Sequence, residues 1–384
     1  MIARQTFLSL CKTERECVCQ IIEKARNAGY KDINEYSQLK VGDKVYITKM
    51  NKAIMLFNIG TENIENGMNI LGAHIDSPRL DCKQNPLIEK DFMVYLNTHY
   101  YGGIKKYQWV TIPLALHGVI CKKDGTTVNV NIGEANDDPV FCISDILPHL
   151  AQDQMKEKAS DVIKGEDLDV IFGSSIPTKK SDTKQETKTD DENPKGKKLI
   201  LSLLKEKYNI EEKDFESAEL EIVPAGNARD LGLDRSLILA YGQDDRSCAF
   251  ASFKAMLEVE KVNKTTCCIC VDKEEIGSVG ATGMASHVFE NAVAEIIAKL
   301  LPYSDLTLRR CLANSNMLSS DVNAAFDPIN PGLYDKDNAS FLGGGIVFNK
   351  YTGSRGKSGA SDANPEFIAK LRKINDDANV SYQM

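Results

Sequence analysis

The sequence predicts an α/β protein: a mixed sheet with helices on both faces, interrupted by an inserted β-rich domain. Three observations predict it. Helical and strand-like patterns alternate after residue 198, as they do in sheets covered by helices. Between Asp91 and Ser144 apolar and polar residues alternate instead, as in Thr127-Val128-Asn129-Val130-Asn131-Ile132. That is the period of half-buried antiparallel strands. Several apolar runs also end in acidic or histidine clusters, and open α/β sheets bind ligands beyond the carboxyl ends of their strands.

The first element is a helix. Thr13 and Glu16 form a capping box, Val18, Ile21, Ile22 and Ala25 share one face, and Gly29 stops it. Strands are expected at 44–49, 53–59 and 68–73, the last running into His74-Ile75-Asp76-Ser77-Pro78. The segment 174–198 is Lys, Ser, Thr, Asp and Glu with almost nothing apolar, which reads as a flexible, solvated loop. Beyond it, helices are expected at 199–208, 246–259 and 283–301, with strands at 218–223, 237–241, 265–271 and 316–320. The domains follow as 1–88 with 226–384, and an insert at 89–225.

Composition bounds the function. The 384 residues carry a net charge of −8, whereas nucleic acid and anionic membranes demand a basic face. No run approaches the ~20 apolar residues that span a bilayer. Met1-Ile2-Ala3-Arg4-Gln5 lacks a signal-peptide pattern, so a cytoplasmic protein is expected. The 11 cysteines are odd in number and scattered, unlike an extracellular disulfide scaffold. Cys267-Cys268-Ile269-Cys270 reads as a buried strand, because neighbours on a strand face opposite ways and cannot share a metal.

The candidate chemistry lies in four clusters, each after an apolar run. They are His74-Ile75-Asp76, Gln243-Asp244-Asp245-Arg246, Asp272-Lys273-Glu274-Glu275 and Ser319-Ser320-Asp321. One histidine with several carboxylates suits Zn, Mn or Co. Paired metals favour hydrolysis, and an adjacent Glu-Glu pair can divide its roles between metal ligand and general base. Singly, each cluster has a plainer reading: a surface turn, a solvated helix start, or Asp245 capping the following helix. The ordered combination is far more specific.

That combination resembles the aspartyl aminopeptidase/aminopeptidase I family of dinuclear zinc peptidases. The matching residues are Ala73-His74-Ile75-Asp76-Ser77-Pro78, Gln243-Asp244-Asp245-Arg246, Asp272 to Ser278 and Ser320-Asp321, with Tyr101-Gly102-Gly103, Trp109 and Leu147-Pro148-His149-Leu150 in the insert. The resemblance implies an α/β/α metallopeptidase domain whose insert mediates dimerisation and assembly. It implies two divalent ions, zinc first with manganese or cobalt as alternatives. His74 and Asp321 would bind one ion, Glu275 the other, and Asp244 would bridge them. Glu274 would be the general base, and Asp76 would orient His74. His149 would reach a neighbouring subunit's site. Peptide substrates and a large homo-oligomer, up to a dodecamer, are implied. Lys350, Arg355 and Lys357 are candidates to recognise an acidic N-terminal residue.

The chain departs from the family at its ends. Its five histidines are His74, His99, His117, His149 and His287. Family members carry another metal-binding histidine in a Met-His context near the C-terminus, and an extra helical stretch before the region of Thr13. The expectation is a chain shortened at both ends, and the alternative function is an impaired or inactive homologue acting as an assembly or scaffold protein. His99, His117 and His287 read as ordinary polar residues. Gly356-Lys357-Ser358 resembles the end of a phosphate loop, but Tyr351 stands where that loop needs glycine.

Overall fold

A computed structural model of the chain describes residues 2–174, 195–351 and 362–384. The loop expected at 174–198 falls mostly on 175–194, outside the described residues, as do Arg355 and Gly356-Lys357-Ser358. The chain divides into a part ending at Asp321 and a part from Val322 to Met384.

The first part runs α1 (Ile2–Leu10), α2 (Glu14–Asn27), β1 (Lys31–Asp32), β2 (Lys44–Lys49), β3 (Ala53–Asn58) and β4 (Asn69–His74). Then come β5 (Arg79–Lys90), β6 (Met93–Tyr101), β7 (Leu114–Cys121), β8 (Thr127–Ile132), β9 (Val170–Ser174), α3 (Lys195–Tyr208) and β10 (Ala218–Pro224). It ends with β11 (Arg229–Leu231), β12 (Leu237–Leu239), α4 (Gln243–Glu258), β13 (Thr266–Val271), α5 (Val288–Leu300), α6 (Asp305–Ala313) and β14 (Asn316–Ser319).

One sheet has the order β1-β2-β3-β13-β4-β14. It is mixed: β13 is parallel to β4 and antiparallel to β3, and β14 is parallel to β4. Side-chain alternation on β13 gives each face its own core. Cys267, Ile269 and Val271 pack with Val293, Ile296 and Ile297 of α5. Cys268 and Cys270 pack with Val18 and Ile21 of α2 and Phe253 of α4. The cysteine-rich run is therefore a core strand covered by helices on both sides, and its thiols are free. The capping box of α2 forms as expected, with the Glu16 N–H donating to Thr13 Oγ1 and Glu16 Oε2 accepting the Thr13 N–H.

The other sheet has the order β8-β7-β10-β5-β6-β9, antiparallel throughout. Its core includes Leu80, Leu96, Leu116, Ile120, Leu220 and Ile222, with Trp109 and Phe215.

Several elements differ from expectation. β12 does not enter the mixed sheet but pairs with β11 in a two-stranded ribbon, where Leu237 and Leu239 are exposed. Its apolar run had read as a sheet strand. α5 starts at Val288 rather than 283, because 283–287 form turns in which the Ser286 N–H donates to the Gly283 oxygen and Ser286 Oγ accepts the Val288 N–H. α3 starts at Lys195, four residues early. α1, β5 and α6 were not anticipated; α1 carries neither acidic residues in its first turn nor basic ones in its last.

The second part holds α7 (Pro365–Asp377), capped by Asn364, whose side-chain oxygen accepts the Phe367 N–H. A short parallel pair, Ile346–Val347 with Tyr382–Gln383, lies in the same part. Among the described residues no helix is long and apolar enough to cross a membrane.

A buried charge network ties α2 to both sheets. Glu14, fully buried, pairs with Lys52 at 2.7 Å and Arg79 at 3.4 Å. Lys52 also meets Glu219 at 3.1 Å and Asp272 at 3.7 Å, and Arg79 meets Asp81 at 2.7 Å and Glu221 at 3.3 Å. Burial alone would raise the Glu14 carboxyl, but the cations of Arg79 and Lys52 hold it well below the usual range. Burial, with Glu14 nearby, pushes Glu221 up despite Arg79. Removing one partner of such a group strands a charge in a medium that cannot solvate it. Lys52→Met is therefore expected to cost roughly 3–5 kcal/mol in denaturant unfolding. Lys373→Met, which breaks an exposed pair with Asp377, is expected to cost at most about 1 kcal/mol. Equal losses would remove the network from any account of stability.

Candidate metal centre

The sheet places the clusters. β4 and β13 are parallel and in register, Val271 opposite His74, and β14 sets Ser319 opposite Gly72. Three strands thus deliver His74, the Asp272 to Glu275 run and Asp321 to one end of the sheet. The fourth cluster comes from the start of α4, where Asp244 and Asp245 interrupt the helical conformation and their peptide is cis. Gly242 precedes them at φ +71°, and a Cβ there would lie 2.2 Å from Arg246 Nη1, so only glycine fits.

His74 is the centre of the group, its side chain 3% exposed. Nδ1 faces Asp76, 3.3 Å from Oδ1 and 3.1 Å from the backbone oxygen. Nε2 faces three carboxylates: Asp244 at 3.2 Å, Glu274 at 3.7 Å and Asp321 at 3.9 Å. The imidazole is buried, whereas Asp244 and Asp321 are each 53% exposed. Burial would depress the His74 pKa, but hydrogen bonds to Asp244 and Asp76 overcome it and raise it to about 11.

Asp76, fully buried, organises the group. It accepts the Glu274 N–H and the Glu275 N–H, each at 3.2 Å, and the Tyr101 hydroxyl at 2.7 Å. These bonds and His74 hold its carboxyl below the usual range against the effect of burial. Asp245 behaves differently from its neighbour. Its carboxyl is buried, and burial raises it to about 7 although the Cys248 thiol beside it opposes the rise. It does not cap the helix by a side-chain hydrogen bond. Arg246 anchors the stretch between His74 and Asp76 by donating to the Ile75 oxygen at 3.0 Å. Ser77 Oγ donates to the Asp244 backbone oxygen at 2.7 Å.

The donor set fits a divalent ion. His74, Asp244 and Asp321 each offer a ligand atom, all within 4.8 Å of one another. One imidazole with carboxylates is the mixture that zinc, manganese and cobalt accept. With Nδ1 turned to Asp76, Nε2 is the atom left for a metal. Glu275 lies beside Asp244, whose negative charge acts on it. A further trio, Glu14, Glu219 and Glu221, lies close together but already holds Lys52 and Arg79.

The other histidines have surroundings of their own. His149 stands on an exposed turn at 148–150. His99 is exposed and stacks on Tyr100. His117 is a buried strand residue bonded to Glu16 at 2.8 Å and Glu134 at 3.2 Å. His287 pairs with Glu290 on the surface. Lys350 belongs to the second part of the chain, and Arg355 and Lys357 lie outside the described residues. Sequence reasoning assigned no site role to Tyr101 or Ser77; only their place in family-like runs singled them out.

Known proteins resemble this chain in sequence and in overall fold. The sequence profile described as aminopeptidase I zinc metalloprotease (M18) matches residues 7–384. A probable M18 family aminopeptidase 1 of Clostridium acetobutylicum is 57% identical over 383 residues, covering 99% of this chain and 80% of the relative. The crystal structure of an M18 aminopeptidase from Thermotoga maritima is 41% identical with a TM-score of 0.91, covering 99% of this chain and 81% of that one. The mApe1 dodecamer of S. cerevisiae shares the fold at 19% identity, with a TM-score of 0.75 and coverage of 99% and 83%.

Crowded carboxylates have a consequence for stability. Burial, then the charge of Asp244, pushes the Glu275 carboxyl up to about 7 although His74 opposes it. The unfolded value is about 4.3, so the fold disfavours the ionised form and stability falls as pH rises from about 4.3 through about 7. In chelator, Glu275→Gln is expected to melt above the wild type at about pH 8 and level with it near pH 4. Added zinc should raise the wild-type midpoint more than the variant's. A variant less stable at both pH values would contradict this.

Proposed function

The chain belongs to the aminopeptidase I (M18) family of zinc metallopeptidases, and from that premise we propose a metal-dependent aminopeptidase that removes the N-terminal residue of peptides. One observation carries the reading: a buried His74 with Nδ1 engaged by Asp76 and Nε2 turned to Asp244, Glu274 and Asp321. His74, Asp244 and Asp321 would hold one divalent ion, and Asp244 and Glu275 a second. Zinc is the first choice, with manganese and cobalt as alternatives.

When bound, the metal supplies Lewis acidity to the scissile carbonyl and acidity to a nearby water. The chain's own residues do the rest. Asp76 fixes the imidazole so that Nε2 points outward. Glu274 takes a proton from the attacking water and returns it to the leaving amine nitrogen. Burial and the charges of Asp321, Asp76 and Asp244 raise its carboxyl, partly offset by His74. Asp244, rather than Asp245, is the bridge in this reading, because it faces Nε2 while Asp245 is buried.

We propose a catalytic domain formed by 1–88 with 226–384 and an assembly domain at 89–225, although β5 of the antiparallel sheet already begins at Arg79 and so crosses that boundary. Exposed Ile146, Leu147 and Leu150 surround His149, which suits burial against another subunit. The reading is a cytoplasmic homo-oligomer, up to a dodecamer, in which His149 reaches the neighbouring subunit's site; a yeast neighbour of the same fold is itself a dodecamer.

The test is release of N-terminal residues from acidic and neutral aminoacyl substrates, with zinc, manganese or cobalt and a chelator control. Chelator-sensitive release is expected. Glu274→Gln should lose about 10²–10⁴-fold in turnover while keeping its metal. Near-normal turnover in that variant would remove Glu274 as base. No release by folded wild type with any metal would favour the scaffold reading.

A further inference from the structure

One residue that reaches the metal centre comes from the antiparallel sheet. Tyr101 ends β6, and its hydroxyl donates to Asp76 Oδ2 at 2.7 Å, the shortest of the contacts Asp76 makes. Oδ1 of the same carboxylate meets His74 Nδ1 and the Glu274 N–H; Oδ2 also takes the Glu275 N–H. The Tyr101 ring is itself held. Arg79, opposite it on β5, places its guanidinium 3.9 Å over the ring centroid. Arg79 is pinned by Glu14, Asp81 and Glu221. The next residue, Gly102, turns at φ +76°, and a Cβ there would meet Glu275 Cβ at 3.3 Å and Pro78 at 3.4 Å.

We propose that Tyr101 is a positioning residue: its hydroxyl, delivered by the antiparallel sheet, fixes the rotamer of Asp76 and through it the orientation of His74 and of the Glu274-Glu275 backbone. A carboxylate with three donors on its two oxygens and an imidazole beside it has little rotational freedom. Removing the donor on the Oδ2 side leaves that oxygen one backbone N–H, 3.2 Å away. Asp76 can then rotate, and His74 loses its fixed partner. Partners of this kind set ligand geometry, and their loss costs metal affinity roughly 10–100-fold. The inference rests on the reading of His74 as a metal ligand through Nε2.

Tyr101→Phe removes one oxygen and keeps the ring beneath Arg79, so the fold should persist; fluorescence of Trp109, the single tryptophan, reports that. Two readouts apply. The first is the ¹⁵N ring signals of the five histidines in metal-free protein, with His74 identified by its loss in His74→Gln. The second is titration with Co(II), followed by its visible absorption. Tyr101→Phe should shift the His74 signals, weaken Co(II) binding about 10–100-fold and lower kcat with KM nearly unchanged. Gly102→Ala, which pushes the same turn against Glu275, should weaken Co(II) in the same direction. Tyr100→Phe, at an exposed neighbour, should do neither. Unchanged His74 signals together with wild-type Co(II) affinity in Tyr101→Phe would overturn the proposal. If the wild type binds no Co(II), the metal reading falls, and the His74 signals alone decide the role of Tyr101.

Discussion

The candidate site depends on one buried carboxylate. Asp76 has no exposure to solvent, yet it stays acidic because donors surround it. Through it, the second residue after β4 governs the loop after β13: the Glu274 N–H bonds to Oδ1, the oxygen that faces His74, and the Glu275 N–H to Oδ2. An uncompensated buried charge of this kind would be costly. Surrounded as it is, it fixes one imidazole nitrogen and frees the other.

Strand pairing and buried contacts hold the frame around it. Parallel pairing of β4 with both β13 and β14 sets three loop origins at one end of one sheet. Arg246, buried among helix and strand, ties α4 to the loop that carries Asp76. The Glu14–Lys52–Arg79 network joins α2, both sheets and Asp272, the residue that leads into the Glu274-Glu275 pair. The acidic groups themselves repel one another. Burial and mutual repulsion raise Glu274 and Glu275, partly offset by His74.

Much of the frame was legible because period and position are physical signals. The run through Cys267, Cys268 and Cys270 read as a two-faced strand, and its residues do fill two separate cores. The capping box of Thr13 and Glu16 marked the start of α2. Clusters at the ends of apolar runs pointed to one crevice, and His74, Asp244, Glu274 and Asp321 do stand together. Legibility failed where the signal was non-local. The apolar run of β12 cannot say which strand it will pair with, and it formed a ribbon with β11. α1 lacks the charge pattern of a helix end. Tyr101 looks like any strand tyrosine until the fold brings it 25 residues back to Asp76. The roles of Glu275 and His149 are likewise questions of what approaches them, which no local pattern encodes.

The central claim is that His74 presents Nε2 to a metal shared with Asp244 and Asp321. Anomalous diffraction from crystals of this chain soaked in zinc tests it directly. The account predicts an ion about 2.0–2.2 Å from His74 Nε2 with carboxylate oxygens of Asp244 and Asp321 completing its shell, and Asp76 still on Nδ1. An ion bound through Nδ1, or zinc held elsewhere while His74 keeps its carboxylate contacts, would contradict it.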